Sequence, residues 1–147
     1  MRGIGLRLGI IGAFIVGGIV LRPFLSGNAS QLAVGDCFDE PADQAATVED
    51  VQHRPCTDPH SGEVVYVSDY APATATYPTD AEFLSFLRAN CLTAYAAYTG
   101  IDINNDTTYD LSAITPTSDS WSDGNHKVIC YAVRLDGAKL TAPLKKP

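Results

Sequence analysis

At 147 residues the chain has the length of one domain with room for a tail. Residues 1–25 hold three of its ten basic side chains (Arg2, Arg7, Arg22) and no acid, so residues 26–147 carry seven basic against seventeen acidic groups, a net of −10. Charge of that sign repels a phosphate backbone and argues against nucleic acid as a partner. A 46% hydrophobic composition with seven Tyr, five Phe and one Trp argues against disorder throughout.

The N-terminal segment 1–25 reads as a membrane anchor or a signal peptide. The uncharged run 8–21 is fourteen residues, roughly 21 Å as a helix, short of a hydrocarbon core of about 30 Å. If Arg7 and Arg22 snorkel, residues 4–25 reach roughly 33 Å and contact lipid across the bilayer. A basic start with a short apolar core also fits a cleaved signal and a secreted product. The nearest small-x-small site, Asn28-Ala29-Ser30, is poor, so the uncleaved, single-pass anchor is the better reading. A lipobox is excluded because Cys37 follows Asp36. Arg2, Arg7 and the α-amino group outweigh Arg22, which keeps the N-terminus cytoplasmic and the acidic domain outside. Gly5, Gly9, Ala13 and Gly17 recur every fourth residue, a small-residue row of the kind that lets two membrane helices pair as a homodimer.

Beyond the anchor, residues 26–34 look like a polar tether, and Gly35-Asp36-Cys37-Phe38-Asp39 suggests a turn beside a strand. A loop at 41–47 precedes a short strand at 48–54. Residues 63–70, rich in Val and Tyr, give the clearest strand of the first half. Thr79 with Glu82 has the form of a capping box. Phe83, Phe86, Leu87, Cys91, Ala94, Tyr95 and Tyr98 follow at three- and four-residue steps, a stripe for packing on a sheet. Gly100 is placed to stop that helix. Residues 101–120 read as a polar loop, Asp123-Gly124 as a turn, 126–135 as the last buried strand and 141–147 as a frayed tail. The fold class is α+β: a membrane helix, then a small disulfide-stapled domain at 35–140 with one main helix on an antiparallel sheet.

Cys37, Cys56, Cys91 and Cys130 all lie on the exported side and read as two disulfides, for which three connectivities exist. Topology favours Cys37–Cys56 and Cys91–Cys130. Cys91 shares the apolar stripe of the helix, and if Val128, Cys130 and Ala132 point inward the two sulfurs meet across the helix–sheet interface.

Gly35-Asp36-Cys37-Phe38, the run Cys56-Thr57-Asp58-Pro59-His60-Ser61-Gly62-Glu63-Val64, Cys91 in a helix, and Trp121…Gly124…Cys130 together resemble the septum formation domain family of actinobacterial envelope proteins. The resemblance covers roughly residues 32–140, and its most specific piece is C-x-x-P-H-x-x-E-V joined to an upstream G-D-C. His126 stands where the family pattern would place arginine. The resemblance implies an extracytoplasmic, membrane-tethered domain linked to cell division, and brings no catalytic residues with it.

His60 and Glu63 form a His–carboxylate pair that could serve acid–base chemistry or a partner. No nucleophile is fixed beside them by a recognisable motif, which favours a structural role. His53, Cys56 and His60 have metal-ligand spacing, but a structural zinc site needs a fourth ligand and a reduced thiolate, so no metal or cofactor is expected. Residues 102–106 imitate the start of a calcium loop without its glycine or its terminal glutamate. Trp121 is either an exposed binding anchor or a cover for the core edge, and the second fits a large ring better. The expectation is a non-enzymatic binding or scaffold domain contacting envelope or division proteins. The alternative is an envelope hydrolase built on His60 and Glu63.

Overall fold

The computed structural model describes residues 26–41, 48, 50–70 and 76–147. The expected membrane helix and its row Gly5, Gly9, Ala13 and Gly17 lie outside the described residues, as does most of the loop at 41–47. Among the described residues no helix is long and apolar enough to cross a membrane.

Six strands make one sheet: β1 (Ser26–Asn28), β2 (Cys37–Asp39), β3 (Asp50–Arg54), β4 (Gly62–Asp69), β5 (Tyr109–Ile114) and β6 (Lys127–Arg134). Their spatial order is β1-β3-β2-β4-β6-β5, with every pairing antiparallel. Helix α1 (Asp80–Thr99) crosses one face, and a single turn of helix, α2 (Ser118–Ser122), precedes β6. The α+β architecture with one main helix is thus the one the periodicity implied.

Helix α1 starts where its chemistry requires. Thr79 accepts from the Glu82 amide, and Glu82 returns the bond to the Thr79 amide at 2.8 Å, a complete capping box. Gly100 ends the helix in the left-handed region at φ 79°, where a Cβ would be strained. Phe83, Cys91 and Tyr95 of the stripe are buried, while Phe86, Leu87 and Tyr98 pack against them from its margins.

Strand β6 is buried on both faces because its alternate residues serve two cores. Val128, Cys130 and Ala132 face α1 with Val65, Tyr70 and Trp121. Ile129 and Tyr131 face the other side with Ala29, Leu32, Phe38, Val51 and Val64. The register of β4 on β6 slips between Val64 and Tyr66, so Val65 is an extra residue in a bulge. Gly62, at the head of β4, is a contact rather than a turn: a Cβ there would stand 2.7 Å from the Tyr131 ring.

Three segments differ from the sequence reading. The supposed tether pairs as β1 with β3, and Ala29 and Leu32 are each 2% exposed, so two isolated apolar residues seat it without any periodic signal. The supposed loop at 101–120 contains β5 and the start of α2. β5 is an edge strand whose Tyr109 and Leu111 amides donate to the carboxylates of Asp106 and Asp110, which keeps the edge closed to a further strand. The tail at 141–147 is not frayed: it follows a bridge between Leu140 and His60, and the amides of Leu144 and Lys146 both donate into the domain.

Candidate functional site: a buried His60–Glu63 clasp

The two signature fragments meet at the head of β4. Gly35, at φ 92°, donates its amide to the Val64 carbonyl at 2.8 Å, and Val64 donates back to the Asp36 carbonyl at 2.9 Å. Cys37 sits opposite Glu63 in the β2–β4 register. The Cys37–Cys56 disulfide, with Cα atoms 5.2 Å apart, then holds the loop before β4 against the G-D-C turn. The second disulfide, Cys91–Cys130, joins α1 to β6 with Cα atoms 6.0 Å apart. Both pairings are the ones that topology favoured, and both Cα separations fall in the range such bridges span.

Period two along β4 turns Glu63 toward α1, since its partner Ala132 belongs to the helix-side core. The carboxylate is 0% exposed. Its Oε1 accepts the Tyr98 hydroxyl at 2.6 Å and its Oε2 accepts the Leu144 amide at 2.8 Å. Burial, reinforced by the hydrogen bond and the charge of Glu63, pushes the Tyr98 phenol well above its ordinary range. One side chain of the sheet thereby ties down both the last turn of the helix and the C-terminal strap, residues 139–146.

His60 is also 0% exposed. Its backbone exchanges bonds of 3.0 and 2.8 Å with Leu140. The ring nitrogen Nδ1 lies 2.7 Å from the Asp58 carbonyl, an acceptor that obliges Nδ1 to carry the proton. Nε2 has no hydrogen-bond partner and points at Glu63 Oε2, 4.0 Å away. The strap is held once more at Lys139. Its ammonium pairs with Asp39, which also takes Arg54 at 2.7 Å and the Ser61 amide at 3.1 Å. Partial burial raises the Asp39 carboxyl, but the hydrogen bonds and charges of Lys139 and Arg54 outweigh it and hold the group below the usual carboxylate range.

For the hydrolytic alternative, this geometry puts His60 and Glu63 in a sealed interior, with the neighbouring hydroxyl of Tyr98 committed as a donor to Glu63. A substrate and water need an open approach to a general base, and the pair has none. For the metal reading, His53 lies across from Phe38 on β3 while Cys56 is oxidised, so the spacing H-x-x-C-x-x-x-H does not form a ligand set. The liganding atoms of Cys37, His60 and Glu63 do converge, all within 4.8 Å of one another, but the sulfur of Cys37 is bound to that of Cys56. In the disulfide form the group is a clasp.

Trp121, on α2, is 5% exposed and is not a surface anchor. It stacks on His126 at 3.9 Å and meets Tyr70, Tyr77 and Phe83 edge-on, closing the helix-side core. Residues 102–106 make a 3-10 turn in which Asp102 caps the Asn104 amide and Asp106 accepts from Thr108, Tyr109 and Tyr95. Those oxygens serve the turn. Sequence reasoning missed Tyr98, Leu140 and Leu144 as partners of the signature pair. The signals were present: a polar-tipped aromatic ending the apolar stripe, and two leucines in a C-terminal stretch, 136–147, otherwise without large apolar residues.

A family described as septum formation matches residues 28–142 of the chain. No curated protein matches it, and neither does any solved structure.

Proposed function

The chain belongs to the septum formation family, and from that premise we propose that it is an exported domain, tethered to the plasma membrane by residues 4–25, that binds envelope or division proteins during septum formation. The observation that carries the export half is the pair of disulfides across residues 37–130. Bridges of this kind persist in oxidising compartments, and a small domain gains from them the stability its modest core lacks. The basic, apolar N-terminal segment supports the tether and the orientation. For the binding half, the support is that the signature residues are spent on holding the domain together. What remains for partners is an acidic outer surface on a rigid frame.

The test is an oxidation-tolerant fluorescent reporter joined to the C-terminus through a flexible linker. Fluorescence concentrated at the septum of dividing cells, with the reporter reachable by protease from outside, is the expected result. A reporter confined to the cytoplasm, or spread evenly round the envelope with division unchanged on depletion, overturns the reading. Recovery of a mature protein lacking residues 1–30 removes the tether and leaves export standing.

A further inference from the structure

We propose that Cys37, Cys56, His60 and Glu63 form a four-donor site for a divalent thiophilic metal ion, zinc being the simplest case, in the form of the domain whose Cys37–Cys56 disulfide is open. The inference goes beyond the septal role and does not depend on it.

Three of the four donors are already assembled. Cys37 Sγ, an imidazole nitrogen of His60 and a carboxylate oxygen of Glu63 lie within 4.8 Å of one another, all buried. Cys56 supplies the second sulfur, since it is bonded to the first. Two thiolates, one imidazole and one carboxylate make a set that tetrahedral zinc accepts. In such a site the donors stand roughly 3.3 to 3.8 Å apart, given zinc–sulfur bonds near 2.3 Å and zinc–nitrogen or zinc–oxygen bonds near 2.0 Å. The 4.0 Å between His60 Nε2 and Glu63 Oε2 needs only a small contraction to fit. Cys56 is half-buried and can swing to open the sulfur–sulfur distance.

The surroundings of both non-sulfur donors independently suit a metal. His60 Nε2 is the one buried side-chain polar atom among the described residues without a hydrogen-bond partner. Its Nδ1–H is anchored on the Asp58 carbonyl, the arrangement that presents Nε2 as a ligand. Glu63 is oriented by Tyr98 and Leu144, which donate to its two oxygens. An imidazole and a carboxylate buried face to face without a hydrogen bond are costly in a frame that needs only a staple. A metal between them would give the arrangement its use.

The exchange balances as follows. A thiolate of a dithiol reductant attacks Cys56 Sγ and displaces Cys37 as thiolate. The second thiolate of the reductant then resolves the mixed disulfide and releases Cys56. Two electrons and two protons pass to the cysteine pair, and the reductant leaves as a disulfide. Metal binding releases two protons from the cysteine thiols, with the ion remaining divalent throughout. Exchange with a disulfide oxidant, which takes up the two electrons and leaves as a dithiol, reverses the sequence and expels the ion. Staple and metal site are therefore mutually exclusive states of the same residues.

The test uses the full-length chain in detergent micelles, reduced with a phosphine that does not compete for metal, and titrated with Co²⁺. Expected are one Co²⁺ per chain with tetrahedral visible bands and a thiolate-to-cobalt charge-transfer band, displacement by Zn²⁺, and a Co²⁺-dependent protection of Cys37 and Cys56 from alkylation, with the response of the buried Cys91 and Cys130 unchanged by Co²⁺. The oxidised chain should show none of these. His60→Ala and Glu63→Gln should each weaken binding about tenfold or more. The alkylation footprint on the unsubstituted chain stands even if a variant fails to fold. No binding after reduction, unfolding on reduction that Co²⁺ does not reverse, equal binding by the oxidised chain, affinity indifferent to His60, or Co²⁺-dependent protection falling on Cys91 and Cys130 in place of Cys37 and Cys56 would each overturn the proposal.

Discussion

Tyr98, in the last turn of α1, donates its hydroxyl across 2.6 Å to Oε1 of the fully buried Glu63, near the head of β4. The bond joins helix to sheet at the point where the strap also lands, because the Leu144 amide occupies the other oxygen of the same carboxylate.

Tyr98→Phe leaves a buried carboxylate oxygen without its donor, and stability should fall by about 1–3 kcal/mol. Denaturant unfolding measures this. The strap should loosen as well, read as faster amide exchange at Leu144. A substitution neutral in both would show that the clasp holds neither element.

Alkaline pH should weaken the domain. Tyr95, Tyr98 and Tyr131 are all pushed above their ordinary range by burial, each with an acidic partner in Asp106, Glu63 or Glu40. A phenol whose folded value is raised binds its proton more tightly in the native state, so its contribution is complete below about pH 10 and is lost as pH rises beyond. Tyr95, Tyr98 and Tyr131 should resist ionisation in an ultraviolet titration until the domain opens. Seven ordinary phenols would contradict the buried assignments.

Acid should act through Asp39. Its lowered value means a contribution present above the ordinary carboxylate range and lost as pH falls through the folded value. Asp39→Asn should therefore flatten the loss of thermal stability between neutral and strongly acidic pH. An unchanged acid limb would remove Lys139 and Arg54 as its partners.

Gly62→Ala should destabilise by about 1–3 kcal/mol through overpacking. The added methyl would lie 2.7 Å from the Tyr131 ring and 3.2 Å from that of Phe38. Melting curves of the variant settle this, and a variant as stable as the parent would mean that the two rings move aside freely.

Trp121→Ala should cost about 3–5 kcal/mol, as expected for a core aromatic. In the parent, Trp121 fluorescence should resist collisional quenchers. Ready quenching together with a negligible stability change would return Trp121 to the surface.

Residue patterns alone determined a good deal. Thr79, Glu82 and Gly100 bounded α1 because capping is local chemistry, complete within four residues. Residues 126–135 announced β6 because a strand buried on both faces needs an unbroken apolar run. The preferred pairing of Cys91 with Cys130 followed from two periodicities, the helix stripe and the alternation of the strand. The tertiary structure decided the rest. β1 carries no apolar residue and takes its conformation from hydrogen bonds to β3, a partner distant in sequence. β5 does alternate, with Tyr109, Leu111 and Ala113 on the core side and Asp110 and Ser112 between them, and the polar residues around it masked that short signal. The role of Glu63 depended on Tyr98, 35 residues away, and on Leu144, 81 residues away. A buried carboxylate is tolerated only where donors converge on it, and no local pattern of residues announces that convergence.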